Sequence, residues 1–450
     1  MTTANRYLEG AYAPVTEEVT VTDLPVTGTL PAHLDGRYLR NGPNPVTPPD
    51  PATYHWFTGE GMVHGIRLRD GKAEWYRNRY VRNGVVADAL GEPRHDGPIH
   101  AEFDFAANTN VIGHAGRTYA IVEAGGNPYE LTFDLDTVGP CDFDGTSAGG
   151  YTAHPKRDPA TGELHAVSYF FGWGDQVRYS VIDAAGRMRK TVDVPTQSSP
   201  MLHDMSLTER YAVIYDMPVR FDIEMAMEGS GLPYSWDPAL PARIGLLPRA
   251  ADTADDVRWF EVEPCYVFHP MNAYDDGDRV VLDVVRHPRM FDRNRLGPDE
   301  GSPTLDRWTV DLAAGKVLEE RIDERGQEFP RVDERLVGRR HRYGYAVGAG
   351  EDAEGNLDLG GNAVIKHDLA GGGTQTRAFT NGSIGEVVFV PNGPDAAEDD
   401  GVLLGFAYDG DRAASDLVVL DAATLDTVAT VSLPVRVPHG FHGNWVASDA

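Results

Sequence analysis

Asp276-Gly277-Asp278-Arg279-Val280-Val281-Leu282-Asp283-Val284-Val285 decides the fold class. A short run of β-branched and apolar residues suits a pleated, half-buried or buried strand. The Asp-Gly-Asp before it supplies the positive φ that tight hairpin turns need. The same pair of signals recurs along the chain. Residues 211–215, 385–390 and 401–406 are further strand runs, and 409–411 (Asp-Gly-Asp) and 184–186 (Ala-Ala-Gly) are further turns. Many short strands at such spacing predict an all-β sandwich, barrel or propeller. A single sandwich or small barrel is too small for 450 residues. A propeller of several four-stranded blades fits. No WD-type or kelch-type repeat marks the blades.

No Ser/Gly linker or low-complexity tract divides the chain, so residues 1–450 are expected to form one domain. Two segments break the β texture, 84–108 and 220–240, and read as insertions over a β scaffold. No apolar run approaches the ~20 residues of a spanning helix. The N-terminus has no charged region followed by an apolar one, so a signal peptide is not expected. The two cysteines, Cys141 and Cys265, exclude a disulfide framework and suit a cytoplasmic protein.

Lys plus Arg number 40 against 69 Asp plus Glu, a net charge of −29. That field repels phosphate backbones and anionic lipid, which argues against nucleic acid and against electrostatic membrane anchoring. A neutral or weakly polar substrate is compatible, and any membrane contact would be apolar.

Four of the fifteen histidines stand in distinctive settings: His154 before Pro155, His203 before Asp204, His269 between Phe268 and Pro270, and His442 between Phe441 and Gly443. Pro ends regular pairing, so these side chains read as presented at strand ends. In a propeller, inner-strand ends from different blades meet at the axis. Four converging imidazoles would form an all-nitrogen site for a borderline transition metal rather than calcium or magnesium. Taken singly, each reads equally as a structural histidine. His33, His95, His100 and His367 sit in polar, turn-like contexts and are expected to be surface or structural. Glu123, Glu328 and Glu386 lie at the edges of apolar runs, either facing water or paired with a ligating histidine.

These segments together, in order, resemble the carotenoid cleavage oxygenase family. Gly36-Arg-Tyr-Leu-Arg-Asn-Gly-Pro43 and His55-Trp-Phe-Thr-Gly-Glu-Gly-Met-Val-His64 match its N-terminal signatures. Asn108-Thr-Asn110, the four histidine contexts, Glu328-Phe-Pro330 and Gly440-Phe-His-Gly443 follow. The resemblance implies a seven-bladed β-propeller capped by a dome of loops and short helices. It implies one non-haem Fe(II) per chain, held by His154, His203, His269 and His442. Glu123, Glu328 and Glu386 would orient His203, His269 and His442 respectively, with Thr109 beside an open iron position. O2 is the implied cosubstrate, no organic cofactor is needed, and the implied reaction is cleavage of an alkene to two carbonyl products.

Family substrates are long polyenes or small phenolic alkenes. Stilbene-cleaving relatives typically carry a Lys immediately before the position of Glu123, and a Tyr upstream. Here Val122 stands there and residues 91–100 contain no Tyr. A carotenoid or apocarotenoid is therefore the expected substrate, with a stilbene or propenyl phenol as the alternative. Isomerisation of a polyene, and a propeller that binds apolar ligands without turnover, are further readings. Val122, Phe170, Phe171, Trp173, Tyr274, Trp308 and Phe441 are candidates for the tunnel wall. Residues 220–240 read either as an apolar mouth at a membrane surface or as a loop packed on its own dome.

Overall fold

Seven antiparallel sheets stand around one axis, a seven-bladed β-propeller. The computed structural model describes residues 5–295, 297–298, 300–351 and 357–448. The opening stretch forms the first hairpin of one blade. Pro270–Asp276 pairs antiparallel with Arg279–Arg286 through Asp276 and Arg279, and Gly277 takes φ +62 in the two-residue loop. Thr304–Asp311 and Lys316–Asp323 complete that sheet. Val280 to Val285 are all buried. Blades pack face to face, so both sides of a middle strand are covered, and the run reads as continuously apolar. Asp283 interrupts it, fully buried, where Arg307 donates two hydrogen bonds to its carboxylate at 2.7 and 2.8 Å.

The chain ends close the ring. Gly443–Ala447 pairs antiparallel with Gly36–Pro43, so the last strand completes the first blade. Val26–Gly28 adds to Thr427–Ser432 at the edge of the last blade. Between Tyr211–Asp216 and Ala242–Pro248, neighbours in one blade, the chain leaves to form a separate hairpin. It consists of Val219–Phe221 and Tyr234–Trp236, with a short helix, Ile223–Met227, between them. Residues 84–108 carry the helix Gly84–Leu90, capped by the Asn83 side chain and ended by Gly91 in a left-handed conformation. Among the described residues no helix is long and apolar enough to cross a membrane.

Three expectations change. Residues 385–390 are not one strand: Gly382–Ile384 and Val388–Pro391 are separate, and Glu386 lies in the break. His367 is not in a turn. It is buried inside Leu357–Asp368, its Nε2 2.7 Å from Gln327 Oε1. The loop at 409–411 is longer than a two-residue turn, because Asp409 pairs with Ala414.

Candidate metal centre

Each of the four histidines lies one or two residues before the innermost strand of a blade. His154 precedes Lys156–Arg157, His203 precedes Met205–Leu207, His269 precedes Pro270–Asp276 and His442 precedes Gly443–Ala447. The inner strands start near the axis, so the four imidazoles converge there. All four are buried. Thr109 holds the corresponding place before Asn110–His114; in the two remaining blades Glu328 comes from the inner strand Gln327–Arg331 and Glu386 from the break between Gly382–Ile384 and Val388–Pro391. Seven blades thus bring four imidazoles, two carboxylates and one threonine to the axis.

One ligand atom from each histidine lies within 4.8 Å of the other three. His154 Nε2 and His203 Nε2 are 2.9 Å apart, and His203 Nε2 and His269 Nε2 are 3.1 Å apart. Nδ1 of His203 donates to both oxygens of Glu123 at 2.8 and 2.9 Å. Nδ1 of His269 donates to Glu328 Oε2 at 2.6 Å, and Nδ1 of His442 to Glu386 Oε1 at 3.0 Å. With Nδ1 carrying the proton in each neutral ring, the three Nε2 atoms present bare lone pairs to one another. Converged lone pairs repel unless a cation sits between them. Two imidazole nitrogens bound at right angles to one ion, each about 2.1 Å away, lie about 3 Å apart, the separation found here. The donor set therefore fits a borderline transition metal.

The electrostatics agree. Burial and the other three imidazoles push the His154 pKa well below its usual value. Burial takes His269 down to about 3 against the pull of Glu328. Both rings are neutral and available as ligands at pH 7. Burial also lowers His203, but Glu123 outweighs it and the net shift is upward. Burial raises Glu386, yet Arg331 and His442 bring it down to about 2. Glu328 is likewise ionised, because His269 and His287 outweigh its burial. His154 differs from the other three: its Nδ1 faces Asp204 Oδ2 at 3.8 Å, and that carboxylate is held by Lys156 at 2.8 Å.

The backbone is strained beside two of the glutamates. Phe329 follows Glu328 with φ +53 and Ala124 follows Glu123 with φ +60. A left-handed conformation costs a residue with a side chain about 1–2 kcal/mol. At Phe329 that turn directs Glu328 inward while the phenyl ring stacks on His269, centroids 5.5 Å apart.

Two cavities meet the cluster. One, of about 640 Å3, is mostly apolar and is lined by Thr109, Val122, Glu123, His203, His269 and His442 at its floor. Its walls are aromatic and aliphatic, among them Trp56, Phe57, Phe105, Phe171, Phe268 and Phe441. The other, about 280 Å3, runs along the inner strands and is more polar than the first, with Lys156, Asp204, Arg331 and Asn444 beside His154.

The family model described as "Retinal pigment epithelial membrane protein" matches residues 12–447. A "Carotenoid cleavage oxygenase" of Mycobacterium tuberculosis is 52% identical over 98% of this chain and 97% of its own length. The chain belongs to the carotenoid cleavage oxygenase family. A "Carotenoid 9,10(9',10')-cleavage dioxygenase" of Crocus sativus is 33% identical, over 98% of this oxygenase and 89% of the relative. Among solved structures, Pseudomonas brassicacearum lignostilbene dioxygenase superposes with a TM-score of 0.89 at 29% identity, covering 99% of this chain and 100% of that one. Cobalt-substituted Synechocystis ACO does so with a TM-score of 0.86 at 27% identity, each chain covered to 97%. The chain is accordingly an O2-incorporating oxidoreductase, which sets aside a propeller without turnover.

Of the tunnel candidates in this oxygenase, Val122, Phe171 and Phe441 line the apolar cavity and four do not. Trp308 lies in the third strand of its blade, away from the axis, and packs in the core with its ring centroid 6.4 Å from that of Tyr215. Tyr274 is in an inner strand but five residues past His269, roughly 16 Å along it at the usual rise. There its ring meets His341 and Arg340. Phe170 packs behind the wall on Phe171, His100 and Phe103. Trp173 lies against Arg178. Conversely, Phe57, Phe268 and Phe329 line the cavity without being expected to. Each adjoins a recognisable segment, Phe57 in 55–64, Phe268 before His269 and Phe329 after Glu328. That adjacency was the available signal.

Proposed function

We propose that this oxygenase binds one Fe(II) through His154, His203, His269 and His442 and cleaves a C=C bond of a carotenoid or apocarotenoid with O2, giving two carbonyl products. The observation that carries the reading is the apolar cavity floored by three of those histidines, His203, His269 and His442, with Val122 immediately before Glu123 and no lysine there. Its volume, about 640 Å3, lies within the usual range for small-molecule sites.

Bound iron would supply the activation of O2. The chain's own residues do the rest. Glu123, Glu328 and Glu386 fix the tautomers and planes of three imidazoles, so that Nε2 faces the axis. Four neutral ligands contribute no charge, and no organic cosubstrate is required. The aromatic walls hold an uncharged, extended alkene over the histidines and exclude water, which limits side reactions. Thr109 precedes its inner strand where four other blades present a histidine, and it lines the cavity without adding a fifth imidazole.

Ile223 and Ala226 of the short helix, with Val85 and Phe103, also line this cavity. Ile223 is 60% exposed and Met227 82%. These residues support a weak apolar contact with a membrane surface as the entry for a lipid-dissolved substrate.

A second reading, cleavage of a stilbene or propenyl phenol, is favoured by the superposition on lignostilbene dioxygenase. Incubating iron-loaded protein with a long apocarotenal and with resveratrol, following O2 uptake and product masses, separates the two. The expected result is aldehyde fragments from the apocarotenal. Cleavage of resveratrol alone overturns the substrate assignment, and products of unchanged mass indicate isomerisation.

A further inference from the structure

His287 stands outside the four-histidine cluster and is fully buried. It directly follows Arg279–Arg286, and its backbone exchanges two hydrogen bonds with Tyr266, at 2.8 and 2.9 Å. Its ring packs edge-on against Phe268, the neighbour of His269, with centroids 5.2 Å apart. Its Nε2 lies 2.6 Å from Glu328 Oε1, while the other oxygen of the same carboxylate accepts from His269 at 2.6 Å. Its Nδ1 has no partner.

Buried polar atoms are normally satisfied, and an orphaned one is destabilising. A histidine kept fully buried with one nitrogen orphaned has its use in the other nitrogen. A carboxylate held by His269 alone would turn about its terminal bond and take the imidazole with it. Here His287 holds one oxygen, and the backbone N–H of Phe329 donates to the other, beside His269. Three donors fix the carboxylate plane, and so the direction of His269 Nε2. The other two glutamates are held differently. Glu123 gives both oxygens to His203. Glu386 is held by the Gly443 N–H at 2.9 Å and by Arg331 at 3.4 Å.

We propose that His287 is a positioning residue of the metal centre: it donates to Glu328 Oε1 and thereby sets the plane in which His269 meets the metal. This rests on the reading of the four histidines as metal ligands. The test reads metal binding rather than turnover. Metal-free protein is titrated anaerobically with Co(II), followed by the visible absorption of the bound ion. His287→Leu removes the donor. His287→Gln keeps an amide N–H near the position of Nε2. The expected result is a Kd for Co(II) raised about tenfold in the Leu variant, with an altered absorption band. The Gln variant is expected within about threefold of the parent, and both metal-free variants are expected to share one thermal midpoint. Should the Leu variant not fold, His287→Asn, whose shorter amide falls short of Glu328, takes its place with the same expectation. Equal Kd values in parent, Leu (or Asn) and Gln proteins overturn the inference, as does equal weakening in both variants. A parent that binds no Co(II) overturns the metal reading itself, so the two failures are distinguishable.

Discussion

Val122 and Glu123 are adjacent in sequence and play opposite parts at the floor of the cavity. Both oxygens of Glu123 accept from His203, and Val122 presents a methyl surface to the substrate space. Val122→Lys would place an ammonium in an apolar wall, at a desolvation cost of several kcal/mol unless it finds a partner. The expected outcome is at least a tenfold fall in kcat/KM for an apocarotenal, with a smaller effect or a gain for a phenolic alkene, measured side by side. Glu328→Gln keeps the shape but loses the charge on His269. Metal affinity is expected to weaken roughly 10–100-fold, checked by anaerobic titration. Glu386 also bears on stability. Its pKa falls from an ordinary 4.5 to about 2 in the folded chain. A carboxyl depressed by folding stabilises fully above its unfolded pKa and ceases to do so as the pH drops through its folded one. Metal-free protein is therefore expected to lose stability between about pH 4.5 and 2. Glu386→Gln should flatten that part of a plot of thermal midpoint against pH.

At the scale of the element, the inner strand is the unit that builds the site, because its first residues lie nearest the axis. The sequence shows much of this. Pro after His154 and His269, and Gly after His442, mark the strand starts, and the Asp-Gly turns mark the hairpins. Other features have no local signal. The break that turns Glu386 inward falls between Ile384 and Val388 with no proline or Asp-Gly turn to mark it, and the left-handed turns at Ala124 and Phe329 occur without glycine. His287 sits in a strand-end context much like those of the ligands, so only the fold separates the residue that orients from those that converge. Aromatic residues were equally ambiguous. Trp308 and Phe57 are both large and apolar, and distance from the axis alone decides which packs between blades and which walls the cavity. The inserted hairpin and its helix give a prediction of their own. Met227→Asp, on the exposed side of that helix and outside the cavity lining, should leave turnover of detergent-solubilised substrate within about twofold and slow turnover of substrate held in neutral lipid vesicles several-fold. Equal rates from both sources would remove the proposed membrane contact.

For the whole molecule, the ring of seven blades solves a problem that sequence spacing poses. The four histidines are separated by 49, 66 and 173 residues, yet a closed propeller returns each blade to one axis. Closure by Gly443–Ala447 against Gly36–Pro43 matters twice, since it seals the ring and sets His442 beside Thr109, whose carbonyl accepts from the His442 N–H at 3.0 Å. The net charge of −29 disfavours an anionic substrate, and the mostly apolar cavity suits an uncharged one. The most direct test of this account is an anaerobic titration of the metal-free protein with Fe(II), repeated for the four single His→Ala variants. Saturation at one iron per chain in the parent and a weakening of at least a hundredfold in every variant are expected. No stoichiometric binding in the parent, or one iron still bound at full affinity in the four variants, would contradict it.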